Sequence, residues 1–497
     1  MSDALLDTLR LTASHLPAID DTSTRLTYGE LREAVVKETH WLKASGVERC
    51  GLLADNSAPW VIADLALMAC RAVHVPLPGY FTSTQRLHVM DDSGIDCVLT
   101  DAPERIILEH PEFSLMGQSR QTGLSLLRRL SVPAMNALPP DVIKVTYTSG
   151  STGTPKGVCL TARSMTAVAN SLVAATAELR IARHMCLLPL ATLLENIAGV
   201  YVPLLLGAQI VVRPAASLGM SYGGVDAARL LRAIYEEAAE SLVLVPELLR
   251  LLIHACGRGW APPRSLKFIA VGGASVSEQL LREAHALGLP AFEGYGLSEC
   301  TSVVCLNTPA ANRPGSVGRP LPHARVRIDS NGEIRVSGAV MSGYLGDVSP
   351  GEEILTGDLG EIDADGFVYV RGRAKNLFIT SMGRNVAPEW VERELTCQPV
   401  IAQAMVVGEA RPFPIALIAA AQNSPDTSIE RAVAQANARL PDYARIRHWI
   451  AFPEAPSSRN GLLTANGRLR RDVILQRYGA LIESIFADQE KLSHAVS

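Results

Sequence analysis

Long runs of one charge sign are missing from this 497-residue chain, whose 46 lysines and arginines nearly balance 50 aspartates and glutamates for a net charge of -4. Without a basic stripe there is no electrostatic footprint for nucleic acid, and no nucleic-acid partner is expected. Paired cysteines are missing too: the nine are scattered with no CxxC. That excludes the usual zinc-ribbon spacing and argues against a disulfide framework, leaving reduced, buried thiols with packing roles, Cys300 among them. The opening segment, MSDALLDTLRLTASHLP, lacks a basic stretch leading into an apolar one, so it does not read as a secretory signal. The most apolar stretch, residues 197–212, is interrupted by Gly199, Pro203, Gly207 and Gln209 and falls short of a membrane span. A buried helix running into a strand suits it better. The expectation is a cytoplasmic protein with no transmembrane segment, peripheral membrane contact remaining open. There is no internal repeat and no low-complexity tract.

What is present is a globular composition, 48% hydrophobic and 19% charged, on a chain long enough to need two or more domains. Apolar β-rich runs at CVLT (97–100), IKVTYT (143–148), QIVV (209–212), SLVLV (241–245) and LKFIAVG (266–272) alternate with helical spacing at 166–179 and 226–240. This alternation predicts α/β layers with largely parallel sheets. After about residue 310 short strands and glycine turns take over. ARVRIDSNGEIRVSG carries two alternating runs around Asn331-Gly332, and GEIDADGFVYVRGR repeats the pattern around Asp365-Gly366. From about Asn376 a new αβ pattern begins, with a helix near 390–395 and a strand at 404–407. The expected organisation is therefore a core over residues 1–372 with a β-rich subdomain from about 310, a hinge at 373–376, and a small mobile α+β domain over 377–497.

The strongest chemical signal is TYTSGSTGTPKG, residues 146–157, between an apolar strand and a helical pattern. Gly150, Gly153 and Gly157 allow close backbone approach to an anion. The hydroxyls of Thr148, Ser149, Ser151, Thr152 and Thr154 can donate to phosphate oxygens, and Lys156 adds a cation. The GxxxxGK[ST] phosphate loop does not fit.

This loop resembles the signature of the adenylate-forming (AMP-binding) superfamily. GYGLSE (294–299), TGDLG (356–360), GRAKN (372–376) and GRNVAPEWVE (383–392) match further motifs in the same order. The resemblance implies ATP, magnesium and, as co-substrate, coenzyme A. By its terms Gly294, Tyr295 and Gly296 flank the adenine, with Gly273 and Ala274 along its face, and Ser298 supplies a hydroxyl where threonine is usual. Glu299 would hold the magnesium, a role suited to a carboxylate. Asp358 would accept from the ribose hydroxyls, with Arg373 reinforcing the contact. Lys375 falls at the pivot between two half-reactions, and Gly383, Arg384 and Asn385 would face the acceptor tunnel after rotation.

Two departures stand out. The late TxxGK motif of the family reads TANGR here, which puts Arg468 where lysine is usual; both carry the positive charge the role needs. In LPLATLLEN (188–196), Thr192 replaces a gating histidine while Glu195 remains. The regions expected around the acyl group are mainly apolar or small. The implied activity is conversion of a carboxylic acid, a fatty acid by the wording of GRNVAPEWVE, to acyl-AMP with release of pyrophosphate. The acyl group would then pass to coenzyme A or, alternatively, to a carrier-protein thiol or an amine; a nucleotide-binding module with weakened adenylation is the third reading.

Overall fold

A computed structural model of the protein describes residues 4–131, 136–148, 155–221, 224–347, 352–421, 425–457, 459–464 and 467–495. Two large sheets dominate the first two thirds. In one, the strands run in the order Phe113–Gln118, Ser125–Arg129, Cys97–Thr100, Arg49–Leu53, Val73–Pro76, Val142–Thr148, Lys156–Thr161. In the other, Arg319–Pro320, Ser302–Leu306, Ala291–Leu297, Phe268–Val271, Ser241–Leu244, Arg183–Met185 and Gln209–Val211 lead to Pro17–Asp20 and Arg25–Thr27. The centres of both sheets pair in parallel and their edges antiparallel.

The helix Ala58–Cys70 shows why the sheets sit together. Its sequence is apolar on almost every face, and Ala58 and Trp60 through Met68 are buried. Such a helix must be covered all round. One hydrophobic cluster runs through it, through Ala162–Thr176 and into strands of both sheets.

The β-rich part is a four-stranded antiparallel sheet of Ala324–Ile328, Glu333–Gly338, Glu353–Ile362 and Val368–Arg373. Its first and last hairpins close by the same device. Asp329 Oδ1 accepts from the amides of Asn331 (2.8 Å) and Glu333 (2.9 Å), and Asp363 Oδ1 from Asp365 (3.0 Å) and Phe367 (2.9 Å). The side chain thereby satisfies turn amides that strand pairing leaves open.

Beyond residue 378 the buried residues form their own clusters, around Val391, Leu395, Ile418 and Val433 on one face of a sheet and Met405, Leu417, Ile474 and Phe486 on the other. That sheet contains Ile401–Val407, Ile415–Ala420 and His448–Ala451, covered by Pro388–Thr396, Asp426–Asn437 and Arg471–Ala495. The result is a large α/β region with a β-rich subdomain and a separate small α+β C-terminal domain. All nine cysteines are free thiols, and Cys300 is buried. Among the described residues no helix is long and apolar enough to cross a membrane. The 197–212 stretch is helical up to Leu206 and then a strand from Gln209, with one unexpected feature: Asn196–Tyr201 winds as a π-helix.

Candidate active site

One large cleft, about 1520 Å³ in volume, opens between the sheets, the β-rich subdomain and the C-terminal domain. The strands Val142–Thr148 and Lys156–Thr161 form a hairpin in which Thr148 pairs with Lys156, and both residues line the cleft. Of the phosphate-loop candidates, Ser149, Gly150, Ser151, Thr152, Gly153 and Thr154 lie outside the described residues. Gly157 has a packing role rather than an anion-facing one. A Cβ there would come within 3.0–3.2 Å of Val145, Tyr147 and Leu345, because the segment around Tyr344 pairs alongside. That pairing delivers Tyr344 to the site. Its hydroxyl donates to Glu299 Oε1 at 2.9 Å, and Lys156 Nζ lies 5.5 Å from the centre of its ring.

The strand Ala291–Leu297 runs on through Gly294. At that residue it changes partner, from parallel pairing with Phe268–Val271 to antiparallel pairing with Ser302–Leu306. Gly296 is demanded by this crossing: a Cβ would sit 1.7 Å from the Ser302 carbonyl oxygen. Ser302 and Thr301 take the left-handed region (φ 93° and 57°), so the turn after Glu299 stores backbone strain beside the cleft. Ser298 and Glu299 lie in the one-turn helix Ser298–Cys300 at the cleft wall.

Tyr295, Asp358 and Arg373 form one unit. Asp358 and Arg373 face each other on adjacent strands, with Arg373 Nε 2.6 Å from Asp358 Oδ1, and the Tyr295 hydroxyl donates to Oδ2 at 2.6 Å. Burial raises the Asp358 carboxyl above its ordinary range, opposed by Arg373. Burial, followed by the charge of Asp358, likewise pushes the Tyr295 phenol up. A carboxylate has about four acceptor positions, so two hydroxyls of a ligand can still be accommodated. Across the cleft, Gly273 (φ 84°) and Ala274 lie on the loop after Phe268–Val271.

Arg468 reaches this loop from the C-terminal domain. Its guanidinium donates to the Gly273 carbonyl, and Asp358 and Arg373 are among the charges nearest to it. Although the side chain stays open to cleft water, its seat among the cleft walls and the like charge of Arg373 lower its pKa. Arg471 is spent elsewhere, on Glu392 and the Val406 carbonyl, so the arginines of this segment do not form one solvated strip. Lys375 is exposed in the turn Ala374–Asn376, next to the strand end at Arg373. Gly383, Arg384 and Asn385 are not brought to the cleft. They sit on an exposed hairpin closed by Phe378–Ile379 and Asn385–Val386.

Leu172, Ile181, Ala198, Val202, Leu206 and Phe268 supply an apolar part of the cleft lining, which also includes Thr176, His184 and Ser241. Thr192 lines the cleft, its hydroxyl donating to the Pro189 carbonyl at 2.7 Å. Glu195, in contrast, is fully buried.

Comparison with known proteins decides the family. The AMP-binding enzyme family matches residues 10–345, and the C-terminal domain of AMP-binding enzymes matches residues 375–490. The chain belongs to the AMP-binding enzyme family. Among curated members of the wider group, the long-chain-fatty-acid–CoA ligase FadD15 of Mycobacterium bovis is 26% identical, the alignment covering 94% of this chain and 93% of that one. The 2-succinylbenzoate–CoA ligase of Bacillus mycoides is 28% identical over 79% of this chain and 82% of its own. A crystal structure of the anthranilate CoA ligase AuaEII with anthranoyl-AMP superposes with a TM-score of 0.78 at 19% identity, covering 96% of this chain and 99% of the other, a likeness of fold.

The strand leading into the candidate phosphate loop is held by a group unanticipated from sequence. Lys144, on the strand leading into the loop, is buried with its Nζ 2.8 Å from Asp64 Oδ1, 2.5 Å from Asn196 Oδ1 and 2.9 Å from the Tyr201 hydroxyl. His74 Nδ1 lies 2.7 Å from the same Asp64 oxygen. Burial would raise the Asp64 carboxyl, but Lys144 and His74 outweigh it and hold it far below the usual range. The network ties the loop-bearing strand to two helices. Its signal was legible: a lone lysine in IKVTYT and a lone aspartate in APWVIADLALMAC are opposite charges in runs that must be buried.

Proposed function

We propose that this enzyme activates a long aliphatic carboxylic acid as acyl-AMP and transfers the acyl group to coenzyme A. The observation that carries the reading is the apolar share of the cleft lining, supplied by Leu172, Ile181, Val202, Leu206 and Phe268 in the same cleft as Tyr295 and Asp358, which we take as the acyl arm. A fatty acyl chain suits such walls, since each buried methylene contributes about 0.8 kcal/mol. The relation to a long-chain-fatty-acid–CoA ligase supports the same substrate class.

In the first step a carboxylate oxygen attacks the α-phosphorus of ATP, and the bond to the pyrophosphate oxygen breaks. Lys156 and Arg468 would offset the charge gathering on the phosphate, and Asp358 with Tyr295 would orient the nucleoside. Magnesium suits the oxygen donors at this wall, and Glu299, held by the Tyr344 hydroxyl, would be its protein ligand; the ion supplies neutralisation of phosphate charge. In the second step the thiol of coenzyme A attacks the acyl carbon, AMP leaves, and the thiol proton passes to solvent. The exposed hairpin bearing Gly383, Arg384 and Asn385 would have to turn towards the cleft for this step, about a pivot at Lys375.

The test is pyrophosphate release across a panel of straight-chain, aromatic and dicarboxylic acids, with and without coenzyme A. Long straight-chain acids should give the highest kcat/KM, with acyl-CoA formed in proportion. A preference for 2-succinylbenzoate or small aromatic acids, or turnover indifferent to coenzyme A, would overturn the proposal.

A further inference from the structure

Behind the acyl arm lies a cluster that the adenylation chemistry does not use. His184 and Cys186 stand two apart on the strand Arg183–Met185 and its continuation, so their side chains leave the same face. Glu195 meets them from the helix end that runs into the π-helix Asn196–Tyr201. All three are buried, and one donor atom of each lies within 4.8 Å of the others. His184 Nε2 is 3.7 Å from Glu195 Oε1. Neither Glu195 oxygen, nor His184 Nε2, has a hydrogen-bond partner of proper geometry. An enclosed carboxylate with only the imperfectly placed His184, Cys186 and Leu187 N–H about it costs several kcal/mol unless something compensates it.

Three further features shape this spot. The Ser241 hydroxyl lies 2.8 Å from His184 Nδ1, a contact that allows the tautomer in which Nδ1–H donates to Ser241 and the Nε2 lone pair is left for a ligand on the Glu195 side. Gly199 keeps the space open: a Cβ there would stand 2.7 Å from Glu195 Oε1 and 3.0 Å from His184 Nε2. The Gly199 carbonyl also accepts the Cys186 thiol at 3.4 Å.

We propose that His184, Cys186 and Glu195 form a buried binding site for a borderline-soft divalent cation, zinc(II) being the ion whose chemistry fits the donor set. Zinc accepts imidazole nitrogen, thiolate sulfur and carboxylate oxygen, and in tetrahedral geometry places nitrogen and oxygen donors about 3.4 Å apart. The observed 3.7 Å needs only a small contraction. A thiolate and a carboxylate around a divalent ion make a neutral unit, removing the charge cost of burial. Three protein donors leave the fourth position to water. The ion would pin the strand to the π-helical segment at the back of the acyl arm, whose wall includes His184 and Ala198. The competing arrangement has no metal: a protonated Glu195 donating to His184 Nε2 after a small side-chain rotation, beside a neutral thiol.

The experiment uses the full chain. Metal content is measured by mass spectrometry after purification without chelating resin, and again after stripping and titration with zinc. Stripped protein is then titrated with cobalt(II), whose thiolate charge-transfer band reports sulfur ligation. The expected result is about one zinc per chain, a cobalt–thiolate band, and a melting temperature that rises when zinc is restored. Cys186→Ser should abolish the band, and Glu195→Gln should weaken cobalt binding at least tenfold. Cys305→Ser, a buried thiol outside the cluster, should leave both unchanged. Failure of the wild-type protein to take up zinc or show the band would overturn the proposal in favour of the hydrogen-bonded pair. Zinc and band both retained in Cys186→Ser would overturn it by placing the metal elsewhere. Should a variant not fold, the wild-type stoichiometry and band decide the matter alone.

Discussion

Removing the Arg468 side chain isolates the contribution of one charge to one half-reaction. In Arg468→Ala the guanidinium that spans to the Gly273 carbonyl, near Asp358 and Arg373, is lost while the backbone bridge between Leu463 and Leu469 is kept. A unit positive charge about 4 Å from a phosphate charge contributes about 4 kcal/mol at an effective dielectric near 20. Loss of one preorganised contact typically costs about 2.7–4 kcal/mol, or about 100- to 1000-fold in rate. Two features favour the lower end: the side chain is open to cleft water, and Arg373 already supplies positive charge nearby. Adenylate formation should therefore fall about 100-fold in single-turnover assays. Transfer from supplied acyl-adenylate to coenzyme A should stay near the parental rate, since the proposed rotation takes Arg468 away from the cleft for that step. Arg468→Lys should retain most of the first rate, because the charge is kept even though the fork is lost. If the alanine variant forms adenylate at the parental rate, Arg468 is merely a cleft-wall contact and the reasoning fails. Equal loss in both half-reactions would also refute it, by pointing to damaged folding.

Three other outcomes are expected. Burial lifts the Glu293 carboxyl to about 8, the Val276 amide opposing by donating to it at 3.0 Å. The folded state thus holds a proton that the unfolded chain has released, and stability should fall as pH rises from about 4.5 to 8, by up to about 1.4 kcal/mol per pH unit. Glu293→Gln should flatten that slope in urea melts, and an unchanged slope would show that Glu293 is not its source. Lys144→Met strands Asp64 inside the protein and should cost about 3–5 kcal/mol, most of it recovered in Lys144→Met/Asp64→Leu; a single variant that melts like the parent would contradict the buried-pair reading. Lys375→Pro fixes the backbone at the proposed pivot. It should spare acid-dependent ATP–pyrophosphate exchange while slowing acyl transfer at least tenfold, and parallel loss of both would refute the pivot.

Much of the fold was legible in the sequence because local chemistry fixed it. The Asp-x-Asn-Gly and Asp-x-Asp-Gly turns carry their own capping carboxylates, so both hairpins of the β-rich sheet could be read without tertiary context. Ala58–Cys70 is apolar on almost every face, Asp64 being the exception, and that by itself demands burial. The motifs at 294–299 and 356–360 named residues that the fold does bring together, Tyr295 and Asp358 sharing a hydrogen bond of 2.6 Å across 63 residues.

Other features were decided only by packing between distant segments. The change of partner at Gly294 depends on Ser302–Leu306 arriving from the other side, which no local pattern encodes. Tyr344 reaches Glu299 and Lys156 because residues 343–345 pair beside Gly157–Cys159, an accident of neither charge nor periodicity in either segment. The cysteines show the division most clearly. Their scatter excludes a ribbon of CxxC pairs, and the sequence therefore spoke for packing alone. Yet a strand residue, its neighbour two positions on and a glutamate from the following helix converge at His184, Cys186 and Glu195. Spacing along the chain limits what a single segment can ligate, while the meeting of separate elements is set by how their apolar faces are buried, and that is a property of the whole fold.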